Sequence, residues 1–107
     1  MSLDIWLERV QLSTVFEANC THNITKMAEL AGIYKPLWHP EDAGINKASD
    51  LVEPIHRALT LLRAEPERFV ALNPENKWGS YDTFVPWLEK LLTACLEFPD
   101  ASVRVSI

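Results

Sequence analysis

Glycine is scarce in this chain, with three in 107 residues, too few for a glycine-rich loop whose backbone amides would cradle a phosphate. Cysteine is scarcer, and Cys20 and Cys95 stand far apart. Without CxxC spacing neither a zinc knuckle nor a redox pair is written, so both thiols read as reduced, partly buried small hydrophobes. Long apolar runs are missing as well; none approaches the roughly twenty residues that cross a bilayer. No charged-then-apolar leader opens the sequence, so a cytoplasmic protein without a membrane segment is expected. On that expectation the triplets Asn19-Cys20-Thr21 and Asn23-Ile24-Thr25 are idle glycosylation matches. Positive charge is also short: ten Lys and Arg against fifteen Asp and Glu leave a net charge of −5. No basic cluster rises above that background, which argues against nucleic-acid binding by phosphate neutralisation. A basic protein surface is the partner such a charge attracts.

What is present is enough apolar material for one core. The chain is 48% apolar and carries four tryptophans, which at this length predicts a single domain spanning 1–107. Residues 3–10, LDIWLERV, alternate, with Leu3, Ile5 and Leu7 on one side and Asp4, Trp6 and Glu8 on the other. That is the period of a half-buried strand. After QLS, the β-branched and aromatic run TVFEA makes a hairpin with it. The closing ASVRVSI alternates again, Val103, Val105 and Ile107 against Ser102, Arg104 and Ser106, and joins the same sheet beside either hairpin strand.

Helices fill the middle. In NCTHNITKMAELAGI, Ile24, Met27, Ala28 and Ala31 have helical spacing, Thr21 or Asn23 serves as the cap, and Gly32 falls at a left-handed C-cap. Pro36, Pro40 and Gly44 break the next stretch into an irregular connection with one turn begun by Pro40, docked on the core by Leu37 and Trp38. SDLVEPIHRALTLLRAEP places Leu51, Val52, Ile55, Leu59 and Leu62 on one face, with Ser49 or Asp50 as cap and Pro54 in the first turn. Pro66 starts a short helix. The last helix begins at Ser80 with a stripe of Tyr81, Phe84, Val85, Leu88, Leu91, Leu92 and Cys95, and Pro86 predicts a kink or a later start. The sum is an α+β fold, a small antiparallel sheet of hairpin plus C-terminal strand covered by three to four helices.

Four groups of residues bear on chemistry. His22, His39 and His56 lie seventeen residues apart, on no ligand motif, and read as independent histidines rather than a metal site. Cys20 lies close to a helix start, where a thiolate is favoured, but also where a strand enters the core; GxSxG is absent. In NCTHN, residues 19–23, capping accounts for one or two polar side chains and there are four, so Asn19, His22 and Asn23 are candidates for holding a polar ligand. In NPENKWGSYDTF, residues 73–84, Asn73 and Pro74 end one helix, Gly79 permits a turn, and Ser80 with Asp82 begins the next. Asn76, Trp78 and Tyr81 are surplus; the plain reading folds both aromatics onto the core and bonds Asn76 to the loop backbone.

Through NCTHNITKMAELAG, the pair Leu37-Trp38, NPENKWGSY and the closing VRVS, the chain resembles a set of small uncharacterised proteins of bacteria and their phages. The resemblance implies a setting and brings no catalytic or binding residue with it. Where such relatives have glycine before the tryptophan, this chain has Lys77. The leading expectation is thus a non-enzymatic interaction or accessory factor, phage or mobile-element related, with a protein partner or a second copy as its target. It has no catalytic residue, metal, cofactor, nucleic-acid or membrane role. The alternative is a polar-ligand binder or enzyme whose site gathers Asn19, His22 and Asn23 with Asn73, Asn76, Trp78 and Tyr81. Those two segments must then converge on one concave surface.

Overall fold

A computed structural model describes residues 2–9 and 14–107; Val10 and the QLS connection of the expected hairpin lie outside them. Three strands, β1 (Ser2–Glu8), β2 (Thr14–Thr21) and β3 (Ser102–Ser106), form an open antiparallel sheet in the order β2-β1-β3. The C-terminal strand therefore chooses β1, leaving the first strand in the middle. Leu3, Ile5 and Leu7 of β1 are fully buried while the residues between them are not, as period-two alternation requires of a sheet covered on one side. Leu3 pairs with Cys20, Ile5 with Ala18 and Val105, and Leu7 with Phe16 and Val103. These pairs are the sheet's contribution to the core.

β2 is longer than the TVFEA run suggested, because Asn19, Cys20 and Thr21 continue the ladder opposite Asp4, Leu3 and Ser2. At its other end the register slips between Leu7 and Glu8, so Thr14 faces Glu8 and Val15 is an extra residue, a bulge. The chain then turns through His22–Ile24 into α1 (Thr25–Leu30). Gly32, at φ 78°, ends α1 as expected. The Gly32 N–H bonds Glu29 C=O at 3.0 Å and the Ile33 N–H bonds Ala28 C=O at 2.9 Å, the paired bonds of a Schellman cap.

Tyr34–Trp38, expected to be irregular, is a short helix, α2, followed by a 3₁₀ turn at Pro40–Ala43. Pro36 is its third residue, where a missing N–H costs nothing because the first turn has no intrahelical acceptor. Leu37 and Trp38 are buried, as anticipated. α3 (Ala48–Ala64) starts one to two residues earlier than its expected caps. The Asp50 carboxylate still works there, accepting from the Asn46 and Lys47 N–H groups at 3.0 Å each. Those bonds hold its carboxyl below the usual carboxylate range, the Lys47 amide first. Ala48 and Ser49 donate instead to the carbonyls of Ala101 and Pro99, fastening the helix start to the segment that enters β3. Pro54 is consequently in the second turn, not the first. The carbonyl it leaves free belongs to exposed Asp50, within reach of water.

α4 (Pro66–Val70) begins at its proline, and α5 (Tyr81–Glu97) follows Ser80 directly, with Pro86 inside it. Ser80 Oγ accepts from Thr83 N–H at 3.3 Å while Thr83 Oγ1 accepts from Ser80 N–H at 2.9 Å. This reciprocal cap fixes the start even though Pro86 removes one bond further along. α3 and α5 pack together under the sheet, burying Leu51, Ile55, Leu59 and Leu62 against a stripe of Phe84, Leu88, Leu91 and Cys95. No helix among the described residues is long and apolar enough to cross a membrane.

Leu88→Ala, in the buried stripe, is expected to lower unfolding free energy by about 2–5 kcal/mol. Leu96→Ala, 61% exposed on the same helix, should change it by less than about 0.5 kcal/mol. Urea melts of the two variants compare them directly.

Candidate functional site

The two polar segments do meet, but through carbon. Gly79 sits at φ 90°, and a Cβ there would fall 2.6 Å from Thr21 Cγ2 and 2.9 Å from Ile24 Cγ2. The loop is therefore seated on the strand-to-helix junction at a position only glycine fits. Polar side chains on both sides are spent on the fold. Asn73 Oδ1 accepts from the Tyr81 N–H at 2.8 Å, closing the loop across its base. Asn76 Oδ1 accepts from the Trp78 N–H at 3.0 Å, an Asx turn. The Tyr81 hydroxyl donates to Leu62 C=O at 2.9 Å, satisfying one of the carbonyls that the end of α3 leaves unpaired. Asn23 bonds Thr21 Oγ1 through both its backbone and its side-chain nitrogen, so Thr21 is the residue that caps.

Trp78 departs from the plain reading: it is 70% exposed and does not fold back. The preceding Lys77 explains why the turn survives without glycine, since its backbone takes φ 62°, a left-handed conformation a lysine adopts at a cost of about 1–2 kcal/mol. His22 is half-buried beside Trp38, with ring centroids 6.2 Å apart, and its Nε2 has no partner among the described residues. His39, the residue after α2, reaches the same aromatic cluster, its Nε2 3.3 Å from the Tyr34 hydroxyl. His56 lies apart from them, exposed on α3. Among the described residues no group of three His, Cys, Asp or Glu is placed to hold a metal.

Cys20 is a strand residue whose neighbours are core, and burial pushes its thiol up to about 12; burial does the same to Cys95. Neither is a thiolate near neutral pH, which removes the activation a cysteine nucleophile needs.

The feature not assembled from sequence lies on the other side of the sheet. Asp4, Trp6 and Glu8 of β1 face away from the helices, flanked by Glu17 and Asn19 of β2 and by Arg104 of β3. Trp6 Nε1 donates to Glu17 at 3.1 Å. The Arg104 guanidinium lies 4.0 Å from the centre of the Trp6 ring and forks onto Glu8, Nε to Oε1 at 3.0 Å and Nη2 to Oε2 at 3.1 Å. That fork lowers the Glu8 pKa and raises that of Arg104. The Asn19 amide donates to Asp4 Oδ1 at 2.7 Å and Ser2 Oγ at 2.8 Å. Asn19 thus belongs to this array rather than to a site with the 73–81 loop. A cleft of about 360 Å³ opens among Asp4, Trp6, Glu17, Ala18 and Asn19. With Glu8 neutralised by Arg104, its fixed charge comes from Asp4 and Glu17, so it is suited to a cation beside an indole. The alternation had placed Trp6 and Arg104 on polar faces; only the strand order makes them neighbours.

Gly79→Ala should cost about 2–4 kcal/mol, combining overpacking with a left-handed backbone. Gly32→Ala, where a Cβ meets nothing within 4 Å, should cost about 1–2 kcal/mol, and thermal melts separate the two. The thiols also set an alkaline limit: their folded values of about 12 lie above the ordinary 9.0, so their stabilisation is fully present below about pH 9. It is then lost at about 1.4 kcal/mol per pH unit per thiol as pH rises towards 12. Denaturation followed from pH 8 to 11 should show that slope flattened in a Cys20→Ala, Cys95→Ala double variant. Comparison of the chain with protein-family models, with curated proteins and with solved structures returns no match.

Proposed function

We propose that the chain is a non-enzymatic interaction or accessory protein, cytoplasmic and related to phage or mobile elements, that binds a cationic protein surface through the open side of its sheet. The observation that carries this reading is Trp6, held in place on an uncovered face by Glu17 and Arg104. An aromatic fixed before binding loses little conformational entropy when a partner covers it. The acidic balance of −5 draws a basic partner rather than a second copy of a like-charged chain, and rather than nucleic acid. The protonated thiols and the structural use of Asn73, Asn76 and Tyr81 support a binding role over catalysis.

One observation favours the other reading, a polar-ligand site between residues 19–23 and 73–81: the His22 Nε2, without a partner among the described residues, near a junction that the loop covers. A single comparison separates them. Wild type and Trp6→Ala are used to retain proteins from a bacterial lysate, alongside melts of wild type, His22→Ala and Trp78→Ala with a metabolite, nucleotide and metal panel. The interaction reading expects a partner retained by wild type, lost at least tenfold in Trp6→Ala and released at about 1 M salt, where screening acts over about 3 Å. A compound that raises the melting temperature of wild type but of neither His22→Ala nor Trp78→Ala would replace it with the ligand reading.

A further inference from the structure

Two cavities flank the same strand edge. β2 is the end strand of the sheet, and among the described residues no chain pairs with the side of it that faces away from β1. On the outer side of β2 lies the cleft of Asp4, Trp6, Glu17 and Asn19. On its inner side, between β2 and α5, runs a second groove of about 400 Å³, with Val15, Phe16, Ala94 and Phe98 as its apolar lining and the α5 side chains Glu89, Lys90, Thr93 and Glu97 beside them. Among the described residues this groove lies beside the free edge of β2, bordered by the half-buried Val15 and Phe16 and by α5.

We infer that β2 is a strand-addition site whose occupant is an extended segment of a partner protein with alternating apolar and basic side chains. The period of a strand sends successive side chains to opposite faces, so an added strand presents one set to each cavity. The set opposite Phe16 and Ala18 enters the groove against α5, where apolar side chains meet its apolar lining. The set opposite Glu17 and Asn19 lies on the outer face, where Glu17 calls for Lys or Arg and Asp4 stands one strand further in. The backbone of Phe16–Thr21 supplies the ladder, and the bulge at Val15 ends it. A second copy is a poor occupant, because pairing two β2 strands brings both sets of Asp4 and Glu17 onto one face of a joint sheet; an edge carboxylate is a usual guard against such self-pairing. The inference rests on the interaction reading above and adds the edge, the backbone mode and the partner's pattern to it.

The probe is a blocked hexapeptide of alternating Val and Lys, matched to the six residues Phe16–Thr21. Two controls accompany it: the same peptide with Glu for Lys, and one with a central proline, which lacks a ladder donor. Amide NMR and hydrogen exchange of the full chain follow the titration. The expected result is saturable binding of the Val-Lys peptide, at least tenfold tighter than either control, with slowed exchange at alternate amides of Phe16–Thr21. Glu17→Lys should reverse the preference towards the Val-Glu peptide, and retention of the wild-type spectrum elsewhere shows that this variant folds. Equal affinity for the three peptides overturns the proposal. So does β2 pairing in the free chain, seen as a dimer in sedimentation with the same amides already protected, because the occupant is then a second copy. Shifts confined to the Trp6 indole and its neighbours, without protection of β2, overturn strand addition while leaving the open face as the interaction surface. No binding of any peptide overturns strand addition, and together with a metabolite-dependent melt it removes the interaction reading as well.

Discussion

The alternation of β1 is the constraint on which the molecule depends. It is the strand with neighbours on both sides in the described sheet, and Leu3, Ile5 and Leu7 are each fully buried. Burial of such side chains contributes about 1.5–3 kcal/mol apiece. A slip of one residue would send all three to water and bring Asp4, Trp6 and Glu8 inside. That penalty fixes the register of β2 and β3 in turn, and with it which of their residues face α3 and α5. The helices cover one side because only one side is apolar. The other side, relieved of any packing duty, can carry an ion pair, an indole and an amide in fixed positions at little cost to the core.

The polar array is ordered by the same ladder. Cross-strand neighbours sit about 4.5–5.5 Å apart, which brings Trp6 beside Glu17 on one flank and Arg104 on the other. Each long side chain is held by a second contact, Arg104 by Glu8 and the indole by Glu17. An isolated surface ion pair contributes little. Here its effect is orientation, since the fork on Glu8 keeps the guanidinium over the ring instead of free in solvent.

Local periodicity was sufficient to read the three strands, α1, α3 and α5, and the caps at Gly32 and Ser80, because each depends on residues within a few positions. Alternation likewise put Asp4, Trp6, Glu8 and Arg104 on outward faces. What sequence could not supply was adjacency: whether VRVS lies beside β1 or β2 is decided by helices between, and Trp6 meets Arg104 only under one answer. The helix at Tyr34–Trp38 was obscured by Pro36, whose effect depends on position within the turn. Pro54 misled in the opposite sense, since α3 begins at a stretch bonded to Pro99 and Ala101, far away in sequence. The surplus of asparagines was a real signal with a different meaning. Asn73 and Asn76 close a loop, and the aromatic between them and Tyr81 that was expected to fold inward stands out in solvent.

The Tyr81 hydroxyl on Leu62 and the Asn73 amide oxygen on the Tyr81 N–H pin together the two ends of everything between α3 and α5. The excursion through α4 and the Trp78 loop is a closed ring, stitched at its neck. Ring closure grows only logarithmically with length, about 0.6 kcal/mol for each doubling, so residues can be gained or lost at its outer rim while the helix pair below keeps its geometry. Length is therefore cheap at the tip beside the exposed indole, so long as Gly79 keeps its seat on Thr21 and Ile24 and Phe69 of α4 stays buried.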